Sequence, residues 1–168
     1  MLYRLIYASR AVADTSSNRK ATQVRRIVDE AQVRNADLGV TGVLCVNDQT
    51  FVQVLEGGRD AVNQVYASIV RDERHDGVTL LSYERIDERR FAHWSMVELD
   101  LSRVNPAVLL RYLPSTHFDP MAIVPAQLLT LVGELAASVA VVGREARTAP
   151  PTIVPRGVDQ KAVEQKGR

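Results

Sequence analysis

At 168 residues, 46% of them hydrophobic and 24% charged, the chain is long enough for one well-packed domain plus an appendage. A formal net charge of +1 supplies no global field toward nucleic acid or an anionic membrane, so neither is expected as a partner. The single cysteine, Cys45, excludes an internal disulfide framework, reads as an inert thiol within an apolar run, and fits a reducing cytoplasm.

In chain order, the opening Met1-Leu2-Tyr3-Arg4-Leu5-Ile6-Tyr7 lacks the basic lead and long apolar stretch of a signal peptide. Residues 2–8 read as a strand and 11–18 as a small, polar loop. Val24, Ile27, Val28 and Ala31 recur at three and four, predicting a helix over about 20–36, with Gly39 placed for a left-handed cap. Two apolar runs, 40–46 and 50–55, flank the polar connector Asn47-Asp48-Gln49 and predict a hairpin. Gly57-Gly58 ends the second run. A second helix follows over about 60–71, with Val62, Val65, Tyr66 and Ile69 on one face. Residues 78–86 form a fourth strand, 87–93 a charged connection and 94–99 a fifth strand.

The order β-α-β-β-α-β-β is an α+β arrangement that extends the ferredoxin-like unit by one strand, with both helices on one face of the sheet. A short helix over 106–112 and a longer one over 125–142 supply a cover for the other face. Leu128, Leu131, Val132, Leu135 and Val139 line one side of the longer helix. Gln127 and Glu134 interrupt that segment, and a lone Glu in a bilayer core costs a few kcal/mol, so it reads as buried in protein rather than spanning a membrane. Beyond residue 144, Pro150, Pro151 and Pro155 lie in polar surroundings and read as a disordered tail. The expected division is 1–100, 101–144 and 145–168.

No catalytic constellation is present: there is no Walker loop and no G-x-S-x-G elbow. His75, His93 and His117 lack zinc-ligand spacing, so no metal is expected. RNA-binding modules on this topology need stacking aromatics on their central strands, where this chain has Val43, Leu44, Val46, Phe51 and Val54. What stands out is polar residues among apolar ones. Tyr7 follows Leu5 and Ile6, Gln53 sits inside Phe51-Val52-Gln53-Val54-Leu55, and Asn35 falls in the last turn of the first helix. A buried amide must find hydrogen-bond partners, and these three positions can converge as walls of one cavity.

These residues carry a resemblance. The blocks Tyr3-Arg4-Leu5-Ile6-Tyr7-Ala8-Ser9, Gly39-Val40-Thr41-Gly42-Val43-Leu44, Phe51-Val52-Gln53-Val54-Leu55-Glu56-Gly57, Asp72-Glu73-Arg74-His75 and Arg90-Phe91-Ala92-His93-Trp94-Ser95-Met96 occur in order, with Asn35 between the first two. Together they make residues 1–100 similar to the BLUF family of flavin-binding blue-light sensors, here of a short, stand-alone type. The resemblance implies FAD, with FMN or riboflavin as open alternatives, lying between the two helices over the sheet. Asn35 would hydrogen-bond the pyrimidine edge of the ring and Arg74 would face a ring carbonyl. His75 would lie close to the pocket, and Ile6, Ser9 and Leu55 would add packing and backbone contacts.

Tyr7 and Gln53 would form the photoactive switch. The resemblance implies that light would drive electron and proton transfer from Tyr7 and that the Gln53 amide would rearrange by rotation or tautomerisation, two outcomes that differ only in hydrogen positions. Trp94 and Met96, expected on the fifth strand beside Gln53, would relay the change to the C-terminal helices. No substrate would be turned over, so the chain is not expected to be an enzyme. A cytoplasmic homo-oligomer or a downstream protein partner would receive the signal. Two rival readings are a module that has lost its ligand and a small acylphosphatase-like hydrolase. The second lacks a phosphate cradle in Arg10-Ala11-Val12-Ala13-Asp14.

Overall fold

The computed structural model describes residues 1–12, 17–47 and 50–148. The elements are β1 (Leu2–Ala11), α1 (Ser17–Asp37), β2 (Thr41–Asn47), β3 (Thr50–Gly58), α2 (Arg59–Val70), β4 (His75–Ile86), β5 (Val97–Asp100), α3 (Pro106–Leu109) and α4 (Pro125–Thr148). The five strands form one sheet in the order β4-β1-β3-β2-β5. Strand β1 runs antiparallel to both β3 and β4, and β2 antiparallel to β3. Strand β5 joins the far edge parallel to β2, from Val43↔Val97 to Val46↔Asp100. This is the expected ferredoxin-like sheet with one strand added.

Strand alternation divides the core in two. Leu5, Tyr7, Leu44, Phe51 and Leu55 face α1 and α2, where Val24, Ile27, Val28, Ala31, Val62, Val65 and Ile69 meet them. Ile6, Ala8, Val43, Cys45, Val52 and Val54 face the other way, onto Phe91, Leu99 and the C-terminal helices. Leu128, Leu131 and Val132 of α4 are almost wholly buried there. Each is worth about 1.5–3 kcal/mol in burial, ample to dock α4 on the sheet. Among the described residues no helix is long and apolar enough to cross a membrane.

The close of α1 sets up the site. Gly39 has φ +62°, and the N–H groups of Gly39 and Val40 donate to the carbonyls of Ala36 (3.1 Å) and Asn35 (2.8 Å). This six-to-one and five-to-two pair is a Schellman motif, and it fixes Asn35 in the last helical turn. At Gly42 a Cβ would overlap the Val54 carbonyl oxygen of the neighbouring strand and press on Met96. Gly42→Ala is therefore expected to cost about 1–3 kcal/mol; urea unfolding with an unchanged midpoint would contradict the packing described here.

Several boundaries differ from the sequence reading. Strand β1 continues to Ala11, α1 begins at Ser17, and β4 begins at His75. The expected helix over 106–112 is helical only to Leu109 and continues as turns. Helix α4 passes residue 144 and reaches Thr148. The connector residues Asp48 and Gln49, the side chain of Val139, and the tail from 149 onward lie outside the described residues.

The largest correction concerns the fifth strand, which begins at Val97, so Trp94, Ser95 and Met96 precede it. The Trp94 carbonyl still bonds to β2, while those of Ser95 and Met96 go to side chains of α1. The Gly42 N–H donates to the Trp94 carbonyl (2.9 Å), Asn35 Nδ2 to that of Ser95 (3.0 Å) and Gln32 Nε2 to that of Met96 (2.9 Å). With two of the three acceptors claimed by α1 side chains, this stretch leaves the ladder.

Candidate functional site

Tyr7 and Gln53 are directly opposed across the β1–β3 ladder. Both side chains point toward the helices, as residues of one register must. Tyr7 is 0% exposed and Gln53 4%. The Tyr7 hydroxyl donates to Gln53 Oε1 at 2.5 Å, and Gln53 Nε2 donates to the thioether sulfur of Met96 at 3.2 Å. The result is a buried chain of phenol, amide and thioether. Burial, with a smaller push from the Asp72 carboxylate, raises the Tyr7 phenol far above its ordinary pKa. A phenolate is thus strongly disfavoured here.

Asn35 closes the same space from α1. Its Nδ2 holds the Ser95 carbonyl, while its buried Oδ1 has no hydrogen-bond partner among the described residues. An unsatisfied buried acceptor costs roughly 1–3 kcal/mol, so the position calls for a ligand N–H. A flavin presents such an N–H between two carbonyls on its pyrimidine edge, so the residues present fit that cofactor.

On the other flank Tyr66 of α2 lies 5.8 Å from Tyr7, and His75 meets Tyr7 edge-on at 6.1 Å and Phe51 at 5.1 Å, all between ring centroids. Ser9 Oγ and His75 Nδ1 are 2.9 Å apart. Burial holds the His75 imidazole below its usual pKa, favouring the neutral ring. Leu55 packs in the same cluster as Tyr7.

Arg74 is more occupied than expected. Its guanidinium grips Asp72 (Nη2 to Oδ2, 2.6 Å) and reaches Glu30 of α1 (Nη1 to Oε2, 2.8 Å). Hydrogen bonds from Arg74 hold the Asp72 carboxyl below its ordinary range. Glu30, absent from the sequence reading, thus latches α1 to the segment after α2.

Two expected site residues fall elsewhere. Ile6 points to the opposite face of the sheet, among the residues facing α4, so it contributes no side-chain packing beside Tyr7. The period-two alternation that turns Tyr7 inward turns Ile6 away. Trp94 is half-buried, stacks on Phe91 (6.5 Å) and packs against the α4 side of the core. Met96, not Trp94, touches Gln53. Among the described residues no cluster of metal-ligating side chains occurs.

The sequence reading also missed Gln32, Glu56 and Arg89. Gln32 stands three residues before Asn35 and donates to the adjacent carbonyl, a spacing that could have marked it. Glu56 is wholly buried, accepting from Arg4 Nε (2.8 Å) and from the Phe91 N–H (2.9 Å). Arg89 donates to the carbonyls of Glu56 (2.8 Å) and Gly39 (2.6 Å). Segment 89–96 is therefore pinned to the sheet at one end and to the Asn35–Gln53 region at the other.

The site is thus a sheet with two helices over a buried tyrosine–glutamine pair, with an amide acceptor that has no partner among the described residues. The family described as "Sensors of blue-light using FAD" (BLUF) matches residues 2–97, and the chain belongs to it. Its cofactor is accordingly a flavin. Among curated relatives, the blue light- and temperature-regulated antirepressor BluF of Escherichia coli (strain K12) is 35% identical over 101 residues, 60% of this chain and 24% of that protein. The photoactivated adenylate cyclase subunit beta of Euglena longa is 35% identical over 96 residues, 56% of this chain and 11% of that protein. The chain thus spans a quarter or less of these relatives. Among solved structures, the photo-activated state of BlsA superposes with a TM-score of 0.70 at 30% identity, covering 80% of this chain and 94% of that one. The dark state of BlrB, a BLUF protein, gives 0.65 at 28% identity, covering 82% and 96%.

Proposed function

We propose that the chain reports blue light through rearrangement of the Tyr7–Gln53–Met96 hydrogen-bond chain beside a flavin held between α1 and α2. The observation that carries this reading is the 2.5 Å hydrogen bond from a fully buried phenol to a buried amide. The flavin, when bound, supplies the blue-light absorption and an excited state able to take an electron. Asn35 would hold the ring edge through its Oδ1, Leu55, Ser9 and His75 would flank the ring, and Arg74, tied in the structure to Asp72 and Glu30, would face a ring carbonyl. Tyr7 is fully buried and stays protonated until the light step, in which it would give its electron to the excited flavin and its proton to Gln53 Oε1, and it would take both back once Gln53 has rearranged. The proton has one short path, onto Gln53 Oε1. Gln53 then rotates or tautomerises. Its Nε2 is held by a thioether, a weak acceptor, so little resists that motion.

The signal leaves through Met96. Segment 89–96 carries Phe91 and Trp94 into the core shared with α4, and the Arg90 guanidinium lies across Gly133 of α4 where a Cβ would otherwise sit. We therefore assign 1–100 as the sensor and 101–144 as the cap and output segment. Altered docking of that segment would be read by a second copy or a partner protein, with no substrate turned over. Deuterium exchange that is identical in dark and lit protein across residues 105–144 would sink this route.

Purified protein is expected to be yellow, and its spectrum to shift slightly to the red under blue light and recover in the dark. Chromatography of the released cofactor distinguishes FAD from FMN and riboflavin. A colourless protein that none of the three reconstitutes would contradict the reading. Asn35→Ala is expected to weaken flavin binding about tenfold or more, the loss associated with one good hydrogen bond in a closed site. Equal flavin affinity in the variant, measured by fluorescence titration, would remove Asn35 from the site.

A further inference from the structure

We infer that Gln32 is a positioning residue of the light switch: its side-chain amide fixes the Met96 backbone and thereby holds the thioether that Gln53 donates to. This rests on the proposed Tyr7–Gln53 switch and adds a component to it. Met96 is held twice. Its carbonyl accepts from Gln32 Nε2 at 2.9 Å, and its sulfur accepts from Gln53 Nε2 at 3.2 Å. One residue along, the Ser95 carbonyl accepts from Asn35 Nδ2 at 3.0 Å.

Gln32 and Asn35 stand three apart on α1, so they share a face and form two adjacent pins on consecutive carbonyls. These pins are what keep residues 95 and 96 out of the ladder, since Val97 is the first residue to pair with β2. The two pins are not equivalent. Asn35 keeps its buried Oδ1 for another partner, whereas Gln32 is exposed and its described hydrogen bond goes to Met96 alone. Gln32 can therefore be changed without touching the cofactor-facing groups.

The clasp belongs to the arrangement in which Gln53 Nε2 faces the sulfur. When Gln53 rearranges and Met96 is released, the Gln32 bond loses its geometry, and it re-forms as the dark arrangement returns. The clasp thus favours the dark state and draws Met96 back. Removing it slows dark recovery and leaves the size of the red shift unchanged.

The test compares wild type, Gln32→Ala and Gln32→Lys, the last retaining a donor long enough to reach the carbonyl. Gln32→Ala should recover roughly two- to fivefold more slowly, the lower half of the range for one hydrogen bond because water competes at an exposed amide. Gln32→Lys should restore the wild-type rate. A readout independent of light is the methyl spectrum of [methyl-13C]methionine protein in the dark. Of three methionines, Met1, Met96 and Met121, only Met96 should shift or broaden in Gln32→Ala, and Gln32→Lys should return it. A wild-type recovery rate in Gln32→Ala would overturn the inference, as would equal slowing in both variants or an unmoved Met96 methyl. In those cases a cycling wild type leaves the switch itself standing. A wild type that binds flavin and shows no red shift would instead overturn the switch and this inference with it.

Discussion

Tyr7→Phe is expected to keep the flavin and lose the light-induced red shift. Phenylalanine fills the same buried volume in the same cluster, so the sheet and helices remain packed. What disappears is the hydroxyl. Gln53 Oε1 loses its donor at 2.5 Å, which costs roughly 1–3 kcal/mol for a buried acceptor left alone. The larger effect is functional. Tyr66 is another phenol near this position, 5.8 Å between ring centroids from Tyr7, but it is half-buried and makes no hydrogen bond to Gln53 in the structure. It can offer an electron without a proton path to the amide. Illuminated Tyr7→Phe should therefore show flavin absorption at wild-type stoichiometry and a flat difference spectrum at the wild-type band. A normal photocycle in this variant would refute the assigned switch.

The second large effect lies away from the flavin. Glu56→Ala is expected to cost about 3–5 kcal/mol, the range for breaking a buried ion pair by removing one partner. The carboxylate is 0% exposed and its oxygens serve Arg4 Nε and the Phe91 N–H. Its loss leaves Arg4, only 12% exposed, with the distant Glu84 oxygen at 3.4 Å, and leaves the Phe91 amide without its acceptor. Losing that much from a total of 5–15 kcal/mol would bring the domain close to unfolding at ambient temperature. The double variant Arg4→Met/Glu56→Leu, which removes both charges together, should recover much of the loss. Urea unfolding of Arg4→Met, Glu56→Leu and the double variant measures the coupling. Additive losses would mean that Glu56 acts through packing alone.

Much of this arrangement was legible in the chain. The helical spacing of Val24, Ile27, Val28 and Ala31, and of Leu128, Leu131 and Val132, shows which faces are buried, because periodicity is local. The meeting of Tyr7, Gln53 and Asn35 follows from the topology once β1 and β3 are antiparallel neighbours. That the Ile6 side chain faces away from Tyr7 was also readable, since adjacent strand residues point to opposite sides. The start of β5 was not. Trp94-Ser95-Met96 has the large side chains of a strand, and only the amides of Gln32 and Asn35, about sixty residues away in sequence, turn its carbonyls from the ladder. Side-chain-to-backbone bonds at that separation leave no periodic trace. The burial of Glu56 was hidden for a similar reason. A charge next to Gly57 at a strand end reads as solvated until Arg4 and Phe91 close over it.

The central claim is that the Gln53 side chain is what light rearranges. The most direct measurement is a light-minus-dark infrared difference spectrum of protein carrying a 13C label at the glutamine side-chain carbonyl. The account predicts difference bands that move with the label in wild type and are lost, together with the red shift, in Gln53→Leu. A label-insensitive spectrum, or a full red shift in Gln53→Leu, would contradict it.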